Sequence, residues 1–219
     1  SASPAGAQPR WQWRWTWAVL LPAMVLVRPL AAHACGINQE GNGLGETMLW
    51  SISQVVSPRP YNGDPSHAIR GHSIHRSLET LISGQEIEIP EEYWDWTDSL
   101  LHQSWFDEID EVLALEARLA DPKRSIGGSC DGFIRKGQRK ILYDLKTKIS
   151  EESRRVKPYA QLGAYSELLS LHYRDHQPDE AWVVWSYPGG VDFEQLDLQQ
   201  CLDSWEGAWI KHEARQELF

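Results

Sequence analysis

Past residue 64 the apolar positions recur at helical spacing. Ile74, Leu78, Leu81 and Ile82 fall on one stripe. Asp64 suits the N-cap, Pro65 the first helical position and Gly84 the stop. A second helix is predicted over about 90–106, with acids near its start that suit the helix dipole. Residues 47–56 read as a strand or a short helix, after a glycine-rich linker at 41–45. The periodicity then changes. Residues 112–118, 127–134 and 140–148 read as strands, joined by turns at Asp121-Pro122 and Lys136-Gly137. A third helix is expected over 158–173, strands over 181–187 and 191–196 around Pro188-Gly189-Gly190, and an amphipathic helix over 197–217. No internal repeat is visible. This order predicts an α/β fold, a mixed central β-sheet flanked by helices, in one domain over 45–219.

Residues 1–44 stand apart from that domain. An apolar run at 17–27 follows two arginines and precedes Ala32-His33-Ala34. It is too short to cross a bilayer comfortably, so no stable membrane insertion is expected. The segment fits a secretory signal, an organellar transit leader or an extension with no part in the folded protein. Three cysteines, Cys35, Cys130 and Cys201, make neither a disulfide framework nor a zinc pair. An intracellular setting is the default, with export left open by the leader.

Net charge is −10 for the 219 residues. The leader is acid-free through residue 39, so the remainder is more acidic still. That total is poor for gripping phosphate. The local balance differs: residues 135–157 hold nine bases and three acids. Either this is a solvated strand-and-turn surface or it faces a phosphate backbone.

Candidate chemistry centres on Asp131 and on Asp144-Leu145-Lys146. Alternation puts Asp144 and Lys146 on one face of a strand, and a hairpin brings Asp131 close. Two neighbouring carboxylates repel unless a cation lies between them, and hard oxygen donors suit Mg²⁺ or Mn²⁺. Such a pair with a nearby lysine fits metal-assisted attack on a phosphate, although an Asp-x-Lys pair is also common on exposed strands. His75 and Glu79 share a helix face, as do Gln161 and Tyr165. A helix salt pair and a half-buried tyrosine would explain these equally well. Trp94 or Trp96 could stack on unpaired bases.

In order and spacing, Gly71-x-x-x-His75-x-x-x-Glu79, Gly128-x-x-Asp131-Gly132, Asp144-x-Lys146-Thr147 and Gln161-x-x-x-Tyr165 resemble the RecB-like branch of the PD-(D/E)XK nucleases. Within it they resemble the group that contains the mitochondrial genome maintenance exonuclease and its phage relatives. The resemblance covers about residues 47–219. It implies a Mg²⁺-dependent deoxyribonuclease, an exonuclease on single-stranded DNA, of the kind used in DNA repair and replication. Asp131 and Asp144 would be metal ligands, joined by His75, Glu116 and the carbonyl of Leu145. Lys146 would be the catalytic lysine, with Gln161 and Tyr165 orienting it or the DNA. A catalytically inactive relative that only binds nucleic acid is the alternative. His72 departs from the pattern, where a small hydroxyl residue is commoner.

Overall fold

The structure is a computed structural model and describes residues 50–58, 64–86, 88–173 and 177–217. The whole leader, residues 1–44, thus lies outside the described residues. Strand β1 (Trp50–Ser51) and helix α1 (Ile52–Val56) open the described chain, and both readings of that segment hold in part. Ser51 closes α1 with a capping box against Gln54. Helix α2 (Pro65–Ile82) starts where Asp64 accepts a hydrogen bond from the Ser66 N–H, with Pro65 at its first position. Its end is followed by Gly84 at φ +68°.

The single helix expected over 90–106 is two. Helix α3 (Trp94–Leu101) and helix α4 (Ser104–Asp107) are separated by Gln103 in extended conformation. In a continuous helix, positions 96 and 106 would point about 80° apart. The break lets Trp96 reach the end of a strand while Phe106 enters the core.

Strands β2 (Glu111–Asp121), β3 (Ile126–Lys136) and β4 (Arg139–Thr147) form an antiparallel meander. Helix α5 (Tyr159–His172) carries the chain to β5 (Glu180–Tyr187), which pairs parallel with β4. Strand β6 (Gly190–Leu196) pairs antiparallel with β5, and helix α6 (Leu198–Gln216) is capped by the Asp197 carboxylate on the Gln200 N–H. The result is an α/β fold with a mixed six-stranded sheet flanked by helices.

The two edges of β3 are used differently. Residue 126 pairs with both Trp50 and Asp121, and Gly132 with both Leu115 and Tyr143. One edge therefore belongs to β2 along its length. The other is shared by β1 at the start and β4 at the end. Between Gly127 and Gly132 neither partner is in register, and the candidate site lies at this gap.

Each sheet face has its own core. Ile52, Phe133, Leu142, Leu162 and Trp205 pack on one side, and Ile74, Leu100, Ile141, Tyr143 and Leu145 on the other. Strand β4 is buried on both, which is why its sequence reads as an apolar run. Gly163 sets the depth of the first layer: a Cβ there would lie 2.1 Å from the Cys201 carbonyl oxygen of α6. Among the described residues, no helix is long and apolar enough to cross a membrane.

Candidate active site

Strand alternation along β4 places Leu142, Asp144 and Lys146 toward α5, and Tyr143 and Leu145 toward α2. Asp144 is buried, and the Lys146 Nζ lies 3.0 and 2.7 Å from its two oxygens. The same ammonium donates to Gln161 Oε1 at 3.2 Å, from the first turn of α5. The Tyr165 hydroxyl, one turn further along α5, lies beside Gln161. Gly128 leaves room for that tyrosine, since a Cβ there would sit 3.0 Å from the hydroxyl. Gly132 similarly lies under Tyr143, where a Cβ would come within 2.2 Å of the ring. The glycines flanking Asp131 are thus seats for two aromatic rings.

Asp131 faces the gap in the ladder. Leu145 has no strand partner on that side, and its N–H donates to Asp131 Oδ2 at 2.6 Å. The carbonyl of Leu145 accepts from His75 Nε2 at 2.8 Å, so the backbone of one residue ties both side chains down. His75 Nδ1 then faces Asp131 Oδ2 at 3.5 Å and Glu116 Oε1 at 3.8 Å. Glu116 stands across β2 from Asp131, bracketed by the Leu115/Gly132 and Ala117/Cys130 pairs. Its φ is +45°, a left-handed conformation that a non-glycine residue in a strand adopts only under constraint.

The charges fit a cation site. Burial opposes ionisation of His75, but Asp131 and Glu116 outweigh it and raise the imidazolium to about 10. Burial also opposes the charge on Asp131, yet His75 and Lys146 hold its carboxyl below the usual value. Asp144 moves the other way: burial, with Asp131 nearby, lifts it to about 6 despite Lys146. One imidazole nitrogen and two carboxylate oxygens, from His75, Glu116 and Asp131, lie within 4.8 Å of one another. Asp144 Oδ2 is enclosed and, among the described residues, has no partner of hydrogen-bond geometry, although Lys146 is near. Mixed imidazole and carboxylate donors of this kind suit a divalent ion.

Asp144 lies in the Lys146 group rather than in the ligand cluster, and the Leu145 carbonyl is occupied by His75. Glu79 shares the His75 stripe, but its carboxylate is not part of the ligand cluster. The basic run divides. Arg135, Lys136 and Arg139 pair with Glu111, Glu108 and Glu180 at the β3–β4 hairpin. Arg155 and Lys157 pair with Asp192 and Glu194 past the other end of β4. Nine residues of strand, roughly 30 Å, separate the two groups. Trp94 is substantially exposed. Trp96 is not free: its indole N–H donates to the Lys148 carbonyl at 2.6 Å.

No family model and no curated protein matches this chain. Among solved structures it is similar to a protein from Eubacterium rectale named as a "putative exonuclease", with 7% identity and a TM-score of 0.51, over 75% of this chain and 78% of that one. It also aligns with SSO0001 at 18% identity over 77% of this chain and 79% of that one, with a TM-score of 0.41, too loose a likeness to carry an argument. At such an identity the first likeness speaks for the fold alone, a mixed sheet flanked by helices.

Proposed function

We propose that this chain is a metal-dependent nuclease that hydrolyses DNA phosphodiester bonds, working from the ends of single strands. The carrying observation is the meeting of His75, Glu116 and Asp131 beside a lysine held by Asp144 and Gln161. His75, Glu116 and Asp131 would hold Mg²⁺ or Mn²⁺, with Asp144 as a further donor and the Leu145 carbonyl as another once His75 Nε2 releases it. Such an ion, when bound, polarises a phosphate and lowers the pKa of a bound water. Lys146 supplies the fixed positive charge that stabilises the developing oxyanion. Gln161 keeps the ammonium aimed into the site, and Tyr165 supports Gln161. The order of the four motifs supports placement in the RecB-like branch of the PD-(D/E)XK nucleases, and with it roles in DNA repair or replication inside cells.

The test is incubation of linear single-stranded DNA with the protein, with Mg²⁺ or Mn²⁺ and with excess chelator. Cleavage by the wild type that chelator and Asp131→Asn both abolish supports the reading. DNA binding with no cleavage under either metal would leave an inactive nucleic-acid-binding protein.

A further inference from the structure

Arg70 carries a guanidinium that the candidate site does not use. It projects from α2, five residues and roughly 7.5 Å of helix rise before His75. The guanidinium carbon lies 4.9 Å from the centre of the Trp96 ring. Its Nε is enclosed and has no hydrogen-bond partner among the described residues. Asp64, the N-cap of α2, is close enough to feel the charge. An enclosed guanidinium N–H without an acceptor is costly in a finished structure. The side chain as a whole is only half-buried and forms no ion pair among the described residues, so its terminal nitrogens are the donors an incoming ligand would meet.

Position says which ligand. One turn before His75, Gly71 stands over β4: a Cβ there would lie 3.7 Å from the Thr147 Oγ1. Helix α2 thus runs back along β4 from Leu145 to Thr147 as it is followed toward its start. Trp96, which backs Arg70, bonds the carbonyl of Lys148, two residues past Lys146. Arg70 therefore stands at the exit of β4, beside the path that leads away from the site. A guanidinium backed by an indole is preorganised for a phosphate, with less ordering to do on binding than a free arginine.

We propose that Arg70 binds a non-bridging phosphate oxygen of a nucleotide next to the scissile bond, and so positions the strand. The proposal rests on the nuclease reading above. Arg70 touches the substrate away from the reacting atoms, so its loss acts on binding.

The experiment compares wild type, Arg70→Gln and Arg70→Lys on single-stranded oligonucleotides. Each oligonucleotide carries one uncharged methylphosphonate linkage, moved stepwise from the cleaved bond. With an unmodified strand, Arg70→Gln should raise KM roughly tenfold with little change in kcat. The slope of log affinity against log salt should fall by about 0.7. Arg70→Lys should keep that slope while losing part of the affinity. In wild type, one methylphosphonate position should reproduce the KM penalty, and Arg70→Gln should be insensitive at that position alone. Penalties that add at every position would overturn the phosphate contact, as would a wild-type KM and salt slope in Arg70→Gln. If Arg70→Gln does not fold, the same coupling is read with Arg70→Lys, whose sensitivity must be blunted at that one position. A wild type that cleaves normally while these tests fail removes only the role of Arg70. A wild type that neither binds nor cleaves removes the nuclease reading with it.

Discussion

The backbone N–H of Leu145 donates to Oδ2 of Asp131 at 2.6 Å, across the stretch where β3 and β4 no longer pair. The carboxylate takes the place of a missing carbonyl acceptor. It is thereby fixed with its charge toward His75 Nδ1, 3.5 Å away. Asp131→Asn keeps an acceptor for the Leu145 N–H and removes the charge. The variant should therefore still fold, with some loss of melting temperature as the charge facing His75 goes, while Mg²⁺ or Mn²⁺ affinity falls at least tenfold. Titration calorimetry on both proteins checks this, and undiminished affinity would remove Asp131 from the ligand set.

Lys146 contributes differently. Its ammonium is shared between Asp144 and Gln161 and does not belong to the ligand cluster. Lys146→Ala should leave metal and DNA binding mostly intact and cut turnover by roughly a hundredfold, the usual scale for one transition-state electrostatic group. Single-turnover cleavage at saturating enzyme isolates that step. A near-normal rate would show that the lysine has no part in the chemistry.

Without metal, the raised pKa of His75 ties stability to pH. A histidine whose folded pKa exceeds its unfolded value of 6.5 stabilises the fold fully below that value. The contribution is lost as pH climbs toward about 10. Chelator-treated wild type should therefore lose melting temperature from pH 7 to pH 10 by more than His75→Gln does. Parallel curves for the two proteins would mean that the imidazolium is not held by Asp131 and Glu116.

Much of the fold was legible in the residues, and the failures have identifiable causes. Asp64-Pro65 marked the start of α2, and Asp197 the start of α6, because capping chemistry is local. The α3–α4 break carries no glycine or proline. It is imposed by two destinations, the Lys148 carbonyl for Trp96 and the core for Phe106. Asp144 and Lys146 could be set on one face by alternation alone. The left-handed backbone of Glu116 could not, because nothing in Leu115-Glu116-Ala117 announces it. The ion pairing of the basic run was hidden for a related reason. Its acidic partners Glu111, Glu180, Asp192 and Glu194 arrive from β2, β5 and β6, and only the folded sheet brings them near.

Gly163 gives a stability prediction whose sign opposes helix propensity. In an exposed helix interior, Gly→Ala stabilises by up to about 1 kcal/mol. Here the added carbon would meet the Cys201 carbonyl at 2.1 Å and the Trp205 Cβ at 2.9 Å, both held by α6. Gly163→Ala should destabilise by about 1–3 kcal/mol as α5 and α6 are forced apart. Urea denaturation measures it, and a stabilised variant would mean that the two helices do not approach this closely.

The site is recessed, and that bears on which DNA reaches it. The side chains of Asp131 and Asp144 are only 13% and 2% exposed, with His75 of α2 on one side and Gln161 of α5 on the other. A scissile phosphate must enter between these elements to meet the carboxylates. A free end of a single strand can do so by sliding in, whereas a closed circle must present a sharply bent loop. Base identity should matter little, because no arginine-, asparagine- and glutamine-rich helix is present among the described residues to read base edges. Grip should come from phosphates and weaken steeply with salt. Linear single-stranded DNA is therefore expected to be degraded with little sequence preference, and circular single strands at least tenfold more slowly. Matched linear and circular oligonucleotides, incubated with Mg²⁺ at low salt, give the comparison. Equal rates would make the enzyme an endonuclease, and cutting confined to one sequence would contradict binding through the backbone.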